Sequence, residues 1–186
     1  MRPAQSVLLV QECLACITTE VGVLALLALK ARTQAATDAA QEDCVFVKRF
    51  RSHKGAVAAL AVSPARERCA TMCLDGTLKV YDVATFDMIV MLRLKFVPGC
   101  MAFLASKRSS QQKLAVSERD SAKVWIFDVA SGGEEPLTCL EELHQAPVAA
   151  MCANAVHNTV SGQQHFAPAI RTAAREQPCA LSLKSL

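Results

Sequence analysis

The sequence predicts a mainly β protein of repeated four-stranded antiparallel units, with an N-terminal helix and a disordered C-terminal tail. Short apolar runs separated by turn residues fill positions 44–161, as expected for strands and tight turns. Two aromatic–aspartate pairs, Tyr81-Asp82 and Phe127-Asp128, lie about 46 residues apart, close to the period of a four-stranded repeat. Neither feature continues into residues 1–43 or 162–186.

The best-formed unit begins at Phe50 and ends with its fourth strand near residue 94. Four short strands are predicted, at residues 56–62, 69–73, 77–82 and 88–94. The first is apolar throughout, as in a strand buried on both faces. Asp75-Gly76 predicts a tight hairpin, because glycine accepts a positive φ without strain. The third strand alternates, so that Leu78 and Val80 share one face.

The order of these features resembles a WD40 repeat, the unit of a β-propeller blade. Ser52-His53 stands where that family has Gly-His, and Tyr81-Asp82 where it has Trp-Asp. An unpaired buried polar group costs roughly 1–3 kcal/mol, which favours a structural role for a buried histidine. The resemblance implies a hydrogen-bonded relay of four side chains: His53, Thr71, Asp75 and Tyr81.

A second and a third unit follow, with weaker patterns. Strands of the second are predicted at residues 100–104, 113–117, 123–128 and 138–143, without a histidine at its start. The third begins near His144 and stops after strands at 147–152 and 158–161. The prediction is therefore a partial WD40 β-propeller of about two to two and a half blades. Because closed propellers have about 4–8 blades, we expect a truncated part of a larger propeller.

The two ends are predicted to differ from the central domain, 44–161. Residues 1–43 form a helical or poorly ordered extension, since helix-forming apolar residues run from 7 to 40 without proline. The uncharged run 21–29 is shorter than the roughly 18–20 residues of a membrane span, although a membrane-tethered fragment remains an alternative. Residues 162–186 are predicted to be a disordered tail.

Composition limits the classes of function. The chain has 186 residues, 52% of them hydrophobic, and a net charge of +3, too small to indicate a nucleic-acid surface by itself. The nine cysteines have no spacing typical of a disulfide framework. Buried free thiols predict a reducing compartment, the cytosol or the nucleus.

A closer resemblance covers roughly residues 45–160. The runs FVKRFRSHKGAVAALAVS, KVYDVATFDMIVMLRLKFVPG and SAKVWIFDV are similar to the WD-repeat part of the cyclophilin-type peptidyl-prolyl isomerases with WD repeats. The resemblance implies a nuclear, spliceosome-associated scaffold that binds proteins, spliceosome components among them. Without it, a cytoplasmic location is the expectation.

The sequence does not predict an enzyme. The resemblance places isomerase activity on a separate cyclophilin domain, and the chain has no Phe-His-Arg followed by a Gln- and Gly-rich stretch. We therefore expect no catalytic residue, no cofactor and no metal in this chain. The alternative is a fragment of a peptidyl-prolyl cis-trans isomerase.

Two further motifs leave alternatives open. Cys13 and Cys16 form a CxxC pair, which is either a redox or half-zinc motif or two small apolar residues. A basic cluster with interleaved phenylalanines is either an RNA contact or the solvated face of a strand. We expect protein binding, with nucleic acid the weaker alternative. The basic cluster consists of Lys48, Arg49, Arg51 and Lys54.

Overall fold

The computed structural model describes residues 4–11, 14–29, 44–104, 112–141, 145–154, 159–164 and 179–182. Fifteen strands form four separate antiparallel sheets, and these described residues contain no helix. It follows that the described part holds no helix capable of crossing a membrane. The prediction of a mainly β protein is confirmed.

Each sheet is a simple meander in which strands consecutive in the chain pair with each other. Sheet 1 contains β1 (Ala4–Gln11), β2 (Leu14–Thr19), β3 (Val23–Leu29) and β4 (Cys44–Arg51). Sheet 2 contains β5 (Val57–Val62), β6 (Arg68–Cys73), β7 (Thr77–Asp82) and β8 (Met88–Arg93). Sheet 3 contains β9 (Pro98–Phe103), β10 (Lys113–Glu118), β11 (Val124–Asp128) and β12 (Thr138–Leu140). Sheet 4 contains β13 (Val148–Asn154), β14 (Thr159–Gln164) and β15 (Cys179–Ser182).

The sheets are arranged in sequence order, with their first strands next to one another. Strand β1 contacts β5, β5 contacts β9, and β9 contacts β13. The later strands of each sheet extend away from this common line, so consecutive sheets lie face to face. This is the radial repetition of four-stranded sheets that characterises propeller-like folds.

Apolar side chains fill the spaces between neighbouring sheets. Leu24 and Leu26 of sheet 1 pack with Cys69 and Tyr81 of sheet 2. The opposite face of sheet 2 packs on sheet 3 through a larger cluster, which includes Met72, Leu78, Leu92, Met101, Leu114 and Phe127. Sheet 2 therefore packs on a neighbour at both faces, although Met88, Ile89 and Met91 of its outer strand β8 are exposed.

The predicted N-terminal helix is wrong. Residues 4–29 form three strands, and β3 pairs with β4 across the predicted boundary at residue 44. Leu24 to Leu27 are all buried, and Leu24 and Leu26 pack against sheet 2. A segment in which nearly every residue is apolar is compatible with either a buried strand or a buried helix, so tertiary packing determines which of the two forms.

The predicted C-terminal disorder is wrong for two short segments. Strand β14 continues to Gln164, and β15 pairs with β14 in register from Thr159↔Ser182 to Gly162↔Cys179. The remainder of the predicted tail lies outside the described residues. The count of sheets in the described residues also exceeds the predicted two and a half blades, because β1–β3 of sheet 1 lie in the segment predicted to be helical or poorly ordered.

Gly22 gives a prediction for the turn between β2 and β3. Its φ is +77°, and a Cβ there would lie 2.2 Å from the carbonyl oxygen of His53. We expect Gly22→Ala to lower the free energy of unfolding by about 2 kcal/mol or more, from strain and backbone collision together. Thermal unfolding followed by circular dichroism measures this loss.

The matched control for this substitution is Gly132→Ala. Gly132 also has a positive φ, +70°, but a Cβ there would meet nothing within 4 Å. This variant isolates the strain, so it should lose only about 1 kcal/mol. Equal losses for the two variants would contradict the close approach of Gly22 to His53.

Candidate functional site

The candidate site lies where the chain passes from sheet 1 to sheet 2. His53 belongs to the loop between β4 and β5, Thr71 to β6, Asp75 to the β6–β7 turn and Tyr81 to β7. His53, Thr71 and Tyr81 are at most 3% exposed, whereas Asp75 faces solvent. The four predicted relay residues thus lie on the central strands of sheet 2 and in the loops at one end of these strands.

Both ring nitrogens of His53 are hydrogen-bonded. Nε2 lies 2.7 Å from Thr71 Oγ1, and Nδ1 lies 2.8 Å from Thr77 Oγ1. The Thr77 hydroxyl donates to Asp75 Oδ1 at 2.6 Å, so its oxygen accepts the Nδ1 proton. Nε2 is then the acceptor for the Thr71 hydroxyl, which assigns the neutral Nδ1–H tautomer.

Asp75 therefore reaches His53 through the hydroxyl of Thr77. The carboxylate also accepts the backbone N–H of Thr77 at 2.9 Å, which makes an Asx turn. Thr77 did not appear among the predicted relay residues. The signal that could have identified it is a hydroxyl residue two positions after the turn aspartate, at the distance an Asx turn requires.

Tyr81 completes the buried end of the site. Its hydroxyl bonds to the Ser52 hydroxyl, and its ring stacks on Phe86 with centroids 5.7 Å apart. Burial raises the pKa of the Tyr81 phenol, while hydrogen bonds to Ser52 and Thr71 lower it. The phenol therefore stays protonated at neutral pH and can donate a hydrogen bond, as the indole of tryptophan would.

The charge state of His53 follows from its surroundings. Burial, with a smaller contribution from the Lys79 ammonium, lowers the pKa of His53 from 6.5 to about 4, against an opposing effect of Asp75. Burial acts to raise the pKa of Asp75, but the hydrogen bonds from Thr77 outweigh it and lower this pKa. At neutral pH the pair is a neutral imidazole and a carboxylate, which suits a structural relay.

Sheet 3 lacks the same arrangement. The β6–β7 register pairs Cys69 with Tyr81, and the β10–β11 register pairs Leu114 with Phe127. By this correspondence Val116 takes the place of Thr71, and a valine cannot donate a hydrogen bond. Among its described residues, sheet 3 therefore has no equivalent of the contact between Thr71 and His53.

The four residues of the basic cluster have different environments. Lys48 binds Asp87 at 3.0 Å, and Arg51 donates to the carbonyl oxygens of His53 and Lys54. The side chains of Arg49 and Lys54 are exposed. Two members therefore have structural contacts, and two remain for a partner; the predicted RNA contact stays a prediction.

The CxxC pair is described in part. Cys16 is fully buried in the apolar cluster between sheets 1 and 2, with Cys69 and Tyr81, and Cys13 lies outside the described residues. The environment of Cys16 is that of a small apolar residue in a core.

The meander sheets and their radial order define a propeller-like repeat protein, and solved structures agree. The protein is similar to U3-55K with a TM-score of 0.66 and 10% identity, over 88% of this chain and 46% of that one. It is also similar to BBS1N in complex with ARL6DN, with a TM-score of 0.57 and 12% identity, over 81% of this chain and 43% of that one. At such identities the likeness shows the fold alone.

Curated relatives indicate the kind of propeller-like protein more closely. The chain is 41% identical over 115 residues to peptidyl-prolyl cis-trans isomerase CYP71 of Arabidopsis thaliana, covering 62% of this chain and 18% of the relative. It is 34% identical over 120 residues to the human peptidylprolyl isomerase domain and WD repeat-containing protein 1, covering 64% and 18%. No family model matches the chain. The comparisons support cyclophilin-type homology, and the chain spans less than a fifth of the length of these relatives.

The expectation of no enzyme is corrected by these relatives. The proteins homologous to more than half of the chain are named peptidyl-prolyl cis-trans isomerases, as is cyp15 of Rhizopus delemar at 37% identity over 55% of this chain and 16% of that relative. Their names point to isomerase activity.

The first prediction for the site concerns Thr71. Thr71→Val keeps the shape of the side chain but removes the donor to His53 Nε2, which then lies buried without that partner. We expect a loss of roughly 1–3 kcal/mol in the free energy of unfolding. Urea denaturation measures it, with Thr138→Val on β12 as the control for replacing a strand threonine. An equal loss in both variants would contradict the assigned relay.

The second prediction is a pH dependence of stability. Between pH 6.5 and about 4 the unfolded His53 binds a proton that the folded one does not, because its folded pKa is about 4. Stability therefore falls as pH decreases through this window, by up to roughly 3 kcal/mol. Thermal unfolding at several pH values measures the slope, which should become shallower in His53→Gln; an unchanged slope would refute the assignment.

Proposed function

We propose that the chain is the WD-repeat part of a cyclophilin-type peptidyl-prolyl isomerase and serves it as a protein-binding scaffold. The observation that carries the proposal is the homology to isomerases over more than half of the chain, one of them named for its WD repeats. The propeller-like neighbours and the histidine relay of sheet 2 support the assignment of the homologous segment to repeats.

The geometry of the site is consistent with a scaffold function, because the site fixes the loops at one end of sheet 2. The relay joins the β4–β5 loop to the β6–β7 turn through His53, and Lys79 donates to the carbonyl oxygen of Ser52. Exposed Lys54, Leu74 and Asp75 are then presented on a rigid frame. Binding surfaces of this kind lie in loops held by a fixed scaffold.

The proposal includes isomerase activity for the protein that carries this sequence. In that protein, the repeat segment would bind the proteins whose Xaa-Pro bonds the enzyme isomerises. A nuclear location and partners in the spliceosome belong to the same proposal, and both rest on the resemblance of residues 45–160.

The experiment is an activity assay on the native protein, isolated with an antibody against residues 44–104. We expect it to accelerate cis–trans isomerisation of a proline-containing tetrapeptide, followed by protease-coupled absorbance, and to co-elute with spliceosome proteins. A mock isolation from cells depleted of the protein is the control. A rate equal to that of the control would refute the isomerase proposal, and elution without partners would refute the scaffold.

RNA contact is a second candidate, favoured by the exposure of two members of the basic cluster. Arg49→Glu with Lys54→Glu should weaken binding to single-stranded RNA and reduce the slope of log K against log salt by about 1.4. Fluorescence polarisation at several salt concentrations measures both. The control is Arg93→Glu with Lys95→Glu, the same charge change on exposed residues beside β8; equal effects would argue against a contact at the cluster.

A further inference from the structure

Three side chains with metal-binding atoms converge beside the relay. They are the imidazole of His53, the thiol of Cys73 and the carboxylate of Asp75, whose ligand atoms all lie within 4.8 Å of one another. They come from the β4–β5 loop, the last residue of β6 and the β6–β7 turn. The sequence did not suggest this group, because Cys73 was predicted to be an apolar strand residue and lies far from His53 along the chain.

We propose that His53, Cys73 and Asp75 form a binding site for one transition-metal cation of the zinc type. Nitrogen, sulfur and oxygen ligands together suit borderline cations such as Zn²⁺ and Co²⁺ and disfavour Mg²⁺ and Ca²⁺, which prefer oxygen alone. Three protein ligands leave a fourth tetrahedral position for water. Metal binding at this site would be a separate function of the same region and does not depend on isomerase activity.

The geometry requires a small closure. Bond lengths of about 2.0 Å to nitrogen and oxygen and 2.3 Å to sulfur place tetrahedral ligand atoms roughly 3.3–3.5 Å apart. A pair at the 4.8 Å limit must therefore approach by about 1.3–1.5 Å. Asp75 can supply this movement, since it is exposed on a turn. Gly55 lies beside the thiol, where even an added Cβ would be only 3.5 Å from Sγ; the absence of a side chain there leaves room.

The cation would replace one hydrogen bond of the relay. The Thr77 hydroxyl lies between His53 Nδ1, at 2.8 Å, and Asp75 Oδ1, at 2.6 Å, so it occupies the direction from which a cation would approach both. When Nδ1 binds the cation, the imidazole proton moves to Nε2 and is donated to Thr71 Oγ1. The Cys73 thiol loses its proton to solvent, so one proton is released for each ion bound.

Proton release gives the site a pH dependence. Burial raises the pKa of the Cys73 thiol, so the cation must displace a firmly held proton, and affinity rises with pH up to the thiol pKa. The other titratable groups that face the site are the Lys79 ammonium, which interacts with His53, and Tyr81 at the buried end. The thiol proton is the one that the cation displaces, so the thiol dominates this dependence.

Cobalt titration of the full 186-residue chain tests the proposal. Co²⁺ is the probe because its four-coordinate complexes absorb in the visible range and a cobalt–thiolate bond adds a charge-transfer band in the near ultraviolet. We expect saturation at one ion per chain, displacement of the cobalt by Zn²⁺, and affinity that increases between pH 6.5 and 8.

Two variants and one control identify the ligands. Cys73→Ser should abolish the charge-transfer band, and Asp75→Asn should raise the dissociation constant at least tenfold. Cys139→Ser, a half-buried cysteine on β12, should change neither. Circular dichroism of each variant shows that the fold is retained before titration. A thiolate band that persists in Cys73→Ser, or a wild-type chain that gives no saturable spectrum, would overturn the proposal.

Discussion

The structure depends on the burial of sheet 2 between two neighbours. One face of this sheet packs on sheet 1 and the other on sheet 3, so β6 and β7 are largely buried, whereas Met88, Ile89 and Met91 of the outer strand β8 are exposed. Polar side chains inside such a sheet need partners, and the relay provides them for His53, Thr71 and Tyr81. The relay and the apolar clusters are therefore two parts of one constraint, the burial of the central strands of sheet 2.

The sequence predicted sheets 2 and 3 because their turns and alternation are local signals. Asp75-Gly76 marked a turn that the structure closes with Gly76 at a φ of +82°, and Leu78 and Val80 share the face that packs on sheet 3. The first three strands of sheet 1 were missed because they carry no such contrast. Where nearly every side chain is apolar, periodicity cannot distinguish a buried strand from a buried helix. The secondary structure of this segment is then determined by its contact with sheet 2.

The predicted relay of His53, Thr71, Asp75 and Tyr81 stays a prediction, but the contacts of its members are on view. His53 contacts Thr71 directly and reaches Asp75 only through Thr77, which the sequence did not single out. Cys73 was not predicted as part of a site because it comes close to His53 only through the pairing of β5 with β6, which places Cys73 opposite Val57. The spacing of residues along the chain does not reveal this pairing. Neighbours in space that are distant in sequence are the part that pattern reasoning cannot supply.

One feature of the connectivity bears on how such a chain can change. The sequence repeat begins in β4, the last strand of sheet 1, and its histidine follows immediately before sheet 2 starts. The predicted unit, which begins at Phe50 and ends near residue 94, therefore carries the histidine together with all four strands of sheet 2. Its threonine partners, Thr71 and Thr77, lie inside the same unit. Deleting or duplicating this stretch of sequence would consequently remove or copy the histidine together with the threonines it contacts.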